Sequence, residues 1–153
     1  MTRGLGHAHT HHLPSTTYPG ETMTKVKQIT AWIDSKPGEL GRITAALGKA
    51  KVNISAITCW NTGNESPVHL LVSSPAKAKR ALQELGVRVT EEEVLRVTLP
   101  DNPGVLGEVG TRLGAENINI EYSYASIPTG AKKADLILSV SDVVGASKAL
   151  RGL

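Results

Sequence analysis

A Pro-Gly phrase occurs twice in this 153-residue chain, and it marks where chemistry could occur. The first copy is Pro37-Gly38-Glu39-Leu40-Gly41, running on to Asn53-Ile54, and the second is Pro103-Gly104-Val105-Leu106-Gly107, running on to Asn119-Ile120. The offset is 66 residues at both the Pro-Gly and the Asn-Ile points. In each copy the Pro-Gly is followed by apolar residues at helical spacing. A helix opening has free N–H groups and a positive dipole end, so it can hold an anion. Two such openings at a fixed offset indicate two copies of one small unit.

The elements around each phrase can be read side by side. Ile29, Ala31 and Ile33 alternate with polar or mixed residues, as do Leu95, Val97 and Leu99, and period two predicts strands. Leu40, Ile43 and Leu47, matched by Leu106, Val109 and Leu113, share a helix face. Pro37 and Pro103 suit the first helical position, and Asn102 the N-cap, where Lys36 in the first copy caps poorly. Second strands carry Val52, Ile54 and Ala56, then Ile118, Ile120, Tyr122 and Tyr124; third strands carry Val68, Leu70, Val72 and Leu136, Leu138, Val140. Second helices start near Pro75 and Asp142, and Val87-Arg88-Val89 closes the first unit as a fourth strand.

The expected fold class is α+β: two ferredoxin-like βαββαβ units, with antiparallel sheets and helices on one face. The second copy stops before its last strand, so another segment or subunit must cover that edge, or the edge frays. The expected organisation is a disordered tail over residues 1–22, repeat one over 23–90 and repeat two over 91–153. The open sheet face should carry Trp32, Ile57, Cys59 and Leu71 in repeat one, against Thr98, Ser123, Ala125 and Ser139 in repeat two. The apolar strip predicts packing against another sheet in a homodimer, which Trp32→Lys would break.

Composition narrows the function classes. Lys and Arg are spread along the chain rather than clustered, apart from Lys77-Ala78-Lys79-Arg80, which reads as a solvated helix face, so no nucleic-acid partner is expected. No apolar run is long enough for a membrane, and no signal peptide is legible, so the expected compartment is the cytosol. Cys59 is the one cysteine. His7, His9, His11 and His12 form a tract of a kind that can bind metal, but it reads better as a floppy leader, with Met23 a natural beginning. No cofactor or metal is expected. No Ser-His-Asp set, paired carboxylates or Cys-His pair suggests an enzyme. The glycines of Gly104 to Gly110 have the wrong spacing for a dinucleotide fingerprint.

The strand, the Asp101-Asn102-Pro103-Gly104-Val105-Leu106-Gly107 phrase, the helix and Glu116-Asn117-Ile118-Asn119-Ile120 together resemble the ACT domain. Ser35-Lys36-Pro37-Gly38-Glu39-Leu40-Gly41 followed by Lys51-Val52-Asn53-Ile54 resembles it too. The likeness covers about residues 25–153. It implies a regulator that binds a small molecule, most often an amino acid, in the loop between first strand and first helix, and relays binding to a metabolic enzyme. The N–H groups of Gly38, Glu39 and Leu40, and of Gly104, Val105 and Leu106, would then take a ligand carboxylate. Asp101 would take the ammonium group, with Ser35 at the matching place. The polar residue two before the Pro is Asp101 or Ser35, and the Asn before Ile is Asn119 or Asn53. Asp101 departs from the family's more usual amide. The plain structural alternatives stand beside these: Asp101 as a helix-capping group, Asn53 and Asn119 as partners for turn backbone, Tyr122 and Tyr124 as packing residues, His69 facing solvent or the sheet contact. A second function also stays open, a scaffolding subunit of a metabolic enzyme with a vestigial ligand site.

Overall fold

The computed structural model describes residues 22–153. The elements run β1 (Thr22–Asp34), α1 (Glu39–Lys49), β2 (Ile54–Cys59), β3 (Glu65–Val72), α2 (Pro75–Glu84), β4 (Arg88–Pro100), α3 (Val105–Ala115), β5 (Ile120–Ser126), β6 (Lys133–Val140) and α4 (Val143–Ala149). The tail expectations, including that for the His7–His12 tract, fall on residues outside those described.

All six strands join one antiparallel sheet, in the order β2-β3-β1-β4-β6-β5. The two expected units are therefore joined along β1 and β4. Arg88-Val89 of the expected fourth strand and the Leu95–Leu99 alternation, read from sequence as separate strands, belong to one strand, β4, which starts just after Val87. No Gly or Pro interrupts it between Val87 and Leu99, and Glu91 and Glu93 keep the alternation through the middle.

The missing last strand of the second copy is supplied by the first half of β1. Thr22 pairs with Thr98 and Val26 with Val94, while the second half of β1 pairs with β3. The first half of β4 does the same for repeat one, with Arg88 opposite Trp32. The repeat offset of 66 converts Thr22 into Arg88 and Thr98 into Trp32, so these two pairs are equivalent. Lys27 opposite Glu93 maps onto itself, which puts a pseudo-two-fold axis between them. Each copy thus closes the other's edge, and each covers backbone groups that would otherwise template aggregation.

The odd-numbered residues of β1 and β4 face the helices. Ile29, Ala31 and Ile33 meet Ile43, Leu47, Ala78 and Leu82 in one core. Leu95, Val97 and Leu99 meet Val109, Leu113, Ala146 and Leu150 in the other, and Met23 packs against this second core. Each fully buried Leu or Ile contributes about 1.5–3 kcal/mol. Ser74 caps α2 and Asp142 caps α4, each accepting a backbone N–H.

Two local readings need correction. Pro37 and Pro103 are not the first helical residues, and Asn102 and Lys36 are not the N-caps. Gly38 (φ 89°) and Gly104 (φ 92°) hold that place in the left-handed region. A residue with a Cβ there costs roughly 1–2 kcal/mol, so glycine moves each start two residues on from Pro.

The open face also differs from the simple alternation. A bulge between Ile54 and Ala56, and another between Ile120 and Tyr122, shift the register of the outer strands. Ile57 and Cys59 therefore pair with Leu70 and Val68 on the helix side, as Ser123 and Ala125 pair with Leu138 and Leu136. Ala56, Tyr122 and Tyr124 take the open face instead. The sheet curls there, and β2 and β5 approach across it. Leu71 of the apolar strip is buried within the chain, with Val94 and Ile137.

Candidate functional site

Three places on this frame gather polar groups around a space. The first is the loop between β1 and α1. Ser35 N–H donates to Asn64 O at 3.0 Å, which anchors the loop to the β2–β3 hairpin. Gly38 O accepts from Arg42 N at 2.9 Å, the first full helical bond. The N–H groups of Leu40 and Gly41 meet no protein acceptor among the described residues. A cavity of about 410 Å³ lies beside them, lined by Ser35, Pro37, Gly38, Leu40, Trp60 and Asn61 among others. Lys36 and Asp34 form an exposed pair at 3.5 Å at its rim. Glu39 turns away: its carboxylate accepts from Arg42 at 2.9 Å, and that hydrogen bond holds the carboxyl below its ordinary value.

The second is the equivalent loop between β4 and α3. Asp101 N–H donates to Lys132 O at 2.9 Å, and Asn102 N–H to Pro100 O at 3.0 Å. Both side chains are exposed, and both residues line a cavity of only about 90 Å³ with Leu99, Leu106, Ile127 and Leu136. Val105 is buried in the core, so only its backbone faces the loop, and its N–H reaches back to Asn102 O at 3.4 Å. Leu106 is 62% exposed.

The structure does not bring every expected site residue together. Because β1 and β4 are antiparallel, their loops leave opposite ends of the sheet. They are roughly 45 Å apart at about 3.3 Å per residue. Asn53 lies at the far end of β2 from the first loop, roughly 20 Å away. Its N–H donates to Ser73 Oγ at 2.9 Å and its O accepts from Ser73 N at 2.9 Å. Asn119 makes the same pair of bonds with Ser141, and its side chain donates to Glu121 at 3.2 Å.

The third place is the concave face, where sequence reasoning missed a buried polar network. Gln28 is fully buried, Thr30, His69 and Ser139 nearly so. Gln28 Nε2 at 3.1 Å and Thr30 Oγ1 at 2.7 Å both reach His69 Nδ1. Glu92 accepts from Gln28 at 2.9 Å, from Ser139 at 3.2 Å and from Tyr122 Oη. Tyr124 Oη donates to Gln28 Oε1 at 2.7 Å. His69 stacks on Tyr122 with ring centroids 4.4 Å apart, and Trp60 leans on both, at 5.0 and 6.1 Å. Burial lowers the His69 pKa against the pull of Glu92. Burial raises the phenols of Tyr122 and Tyr124, the former helped by its bond to Glu92. His69 is thus neither solvent-facing nor merely a sheet contact. The signal in the sequence was polar residues at even positions of β1 and β4, with no reason yet to bury them.

Trp60 belongs to two of these places, lining the first loop's cavity while touching His69 and Tyr122. Among the described residues no group of three His, Cys, Asp or Glu is placed to hold a metal, and no helix is long and apolar enough to cross a membrane.

The family model described as an ACT domain pair matches residues 23–145. The chain belongs to the ACT domain pair family. No curated protein matches it. Among solved structures, protein BT0572 from Bacteroides thetaiotaomicron is 27% identical with a TM-score of 0.78, over 84% of this chain and 88% of that one. The ligand-free regulatory subunit of aspartate kinase from Thermus thermophilus is 16% identical with a TM-score of 0.66, over 90% and 95%. The corresponding subunit from Thermus flavus is 14% identical with a TM-score of 0.60, over 87% and 95%. At such identities the kinase likenesses establish the shared fold.

Proposed function

We propose that this ACT pair is a non-catalytic sensor that binds an amino acid at its strand-to-helix loops and relays binding through the arrangement of subunits. The observation that carries the reading is the pair of glycine-started helices. At each, two first-turn N–H groups (Leu40 and Gly41, Leu106 and Gly107) meet no acceptor within the described residues. A carboxylate would accept from them, favoured by the helix dipole. Asp101 would hold the ammonium at the second loop by a charge-assisted bond, and Ser35 occupies its place at the first. Asn102, Gly104, Val105 and Leu106 would line the second site, and Gly38, Glu39 and Leu40 the first, through their backbones.

Since the loops sit at opposite ends of one sheet, a single ligand cannot bridge them within a chain. Closure over either would come from a second copy, so the reading includes a homodimer whose geometry the ligand shifts, and an enzyme partner that feels the shift. Asn53 and Asn119, remote from the loop of their own repeat, would contribute only across such an interface. The cytosol is the compartment this role implies.

A thermal-shift screen of the twenty amino acids tests the proposal. A ligand at about 100 times its dissociation constant stabilises by roughly 2.7 kcal/mol. Asp101→Ala should abolish the calorimetric signal of that ligand while leaving the fold intact. Flat melting curves with all twenty, together with a stable enzyme complex in pull-downs, would replace this reading with a scaffolding subunit whose ligand site is vestigial.

A further inference from the structure

The cavity between the outer strands on the concave face is not explained by the loop sites. It measures about 270 Å³ and lies between Ser55–Ile57 of β2 and Tyr124–Ser126 of β5, over Arg96, Asp135 and Ile137. The duplicated half of the sheet should contain the same space, and there it is full. The repeat relates Ser126 to Trp60 and Ala56 to Tyr122 by 66 residues, and Ile137 to His69 by 68. Trp60, Tyr122 and His69 are the three rings packed together at 4.4–6.1 Å. Small residues in one copy therefore leave open what large rings fill in the other.

The chemistry of the open copy is specific. Arg96 directs Nε (3.1 Å) and Nη2 to one oxygen, Asp135 Oδ2, and Thr98 Oγ1 donates to the other, Oδ1, at 2.6 Å. The pair is fixed in place, and the Nη1 edge of the guanidinium has no protein acceptor among the described residues. A planar cation held at the wall of a semi-enclosed space is suited to a carboxylate. Ala56 and Ile137 give the rest of the space an apolar lining. Its volume exceeds the roughly 150 Å³ that holds benzene in an apolar protein cavity, and falls below the roughly 300 Å³ at which drug-sized sites begin.

We propose that this cavity is a second ligand site, for a carboxylate bearing a short aliphatic chain, with Arg96 taking the carboxylate and Ala56 and Ile137 the chain. Asp135 accepts an ammonium group where the ligand is an amino acid, and no such group is required where it is the 2-oxo acid.

Calorimetry with L-leucine and with its 2-oxo acid, 4-methyl-2-oxopentanoate, tests this on the full chain. At least one should bind saturably, and the stronger of the two identifies the source. Ser126→Trp copies the plug of the other half and should weaken that binding tenfold or more. Arg96→Gln should do the same without filling the space, and it serves if Ser126→Trp fails to fold. Lys77→Ala, on the exposed face of α2, should leave it unchanged. Heat that survives both cavity variants, or no heat from either probe, overturns the proposal. Heat lost in Asp101→Ala but kept in Arg96→Gln assigns the ligand to the loops and overturns the cavity site alone. The reverse pattern supports the cavity and assigns that ligand to it rather than to the loops.

Discussion

Val26, Ala56, Leu71, Val94 and Ile137 on one half of the concave face correspond, through the repeat, to Glu92, Tyr122, Ser139, Gln28 and His69 on the other. The first set is an apolar cluster. The second is a hydrogen-bonded network around a carboxylate. The backbone positions are equivalent, so the fold does not dictate the chemistry. The helix-side cores, by contrast, are apolar in both copies. Duplication has kept what holds the sheet to its helices and let the inner surface diverge, which is where one copy could acquire a role the other lacks.

The largest expected effect comes from cutting the network at its centre. Gln28 reaches His69, Glu92 and Tyr122 with its amide nitrogen and accepts from Tyr124. Gln28→Leu keeps the volume but leaves buried polar partners without it, at a cost of about 2–4 kcal/mol. Its counterpart Val94→Ala loses only methyl groups and a little packing, about 2 kcal/mol or less. Urea unfolding of both variants makes the comparison. If Val94→Ala is the more damaging, the polar half contributes no more than an apolar patch would.

The next effect separates the halves by pH. His69 has its pKa lowered by burial, whereas Ile137 in the same place cannot titrate. A group lowered in the folded state leaves the unfolded chain binding more protons. The His69 contribution is thus complete above the unfolded value of about 6.5 and is lost as pH falls through the folded value. The facing Glu92 carboxylate partly offsets the loss. The stability of wild-type protein should therefore decline below about pH 6.5, with a slope of at most about 1.4 kcal/mol per pH unit. His69→Gln should flatten that slope between pH 6.5 and 5. The lowered carboxyl of Asp135 acts only further down in pH. Burial raises its pKa, but bonds from Thr98 and Arg96 outweigh that. An unchanged slope in His69→Gln would mean that the ring is solvated.

The sequence made some of this legible and hid the rest for identifiable reasons. Ile43 with Leu47, and Val109 with Leu113, located the helices because helical spacing is local. The caps were misplaced because Pro and Asn are common start signals, and the left-handed glycine that follows outranks them here. The bulges at Ile54–Ala56 and Ile120–Tyr122 flipped Ile57, Cys59, Ser123 and Ala125 to the helix side, and one extra residue leaves no mark in composition. The edge of the second copy was recognised as needing cover, but that Thr22–Gln28 provides it is a fact about strands far apart in sequence. At the loops, Asp101 and Ser35 could be located from the phrase itself. Trp60 could not, since it lies just past the end of β2 and acquires its neighbours only when the sheet curls. The same curl buries Gln28 and His69.

The smallest effect concerns the one side-chain hydrogen bond, among the described residues, that joins the two halves. Tyr124 packs its ring with the apolar cluster yet donates its hydroxyl to Gln28. The matching residue in the other copy is Thr58, too short to make the equivalent span. Tyr124→Phe keeps the ring and removes only the donor. Gln28 would lose one partner of its buried amide, to a hydroxyl that is itself only part-buried, at a cost of about 1 kcal/mol. A loss well above 2 kcal/mol would mean that the polar network depends on this bond to stay in register with the cluster. The two halves would then be one cooperative unit rather than two independently diverged ones. A loss too small to measure would mean that water replaces the hydroxyl and that the concave face is open at Tyr124.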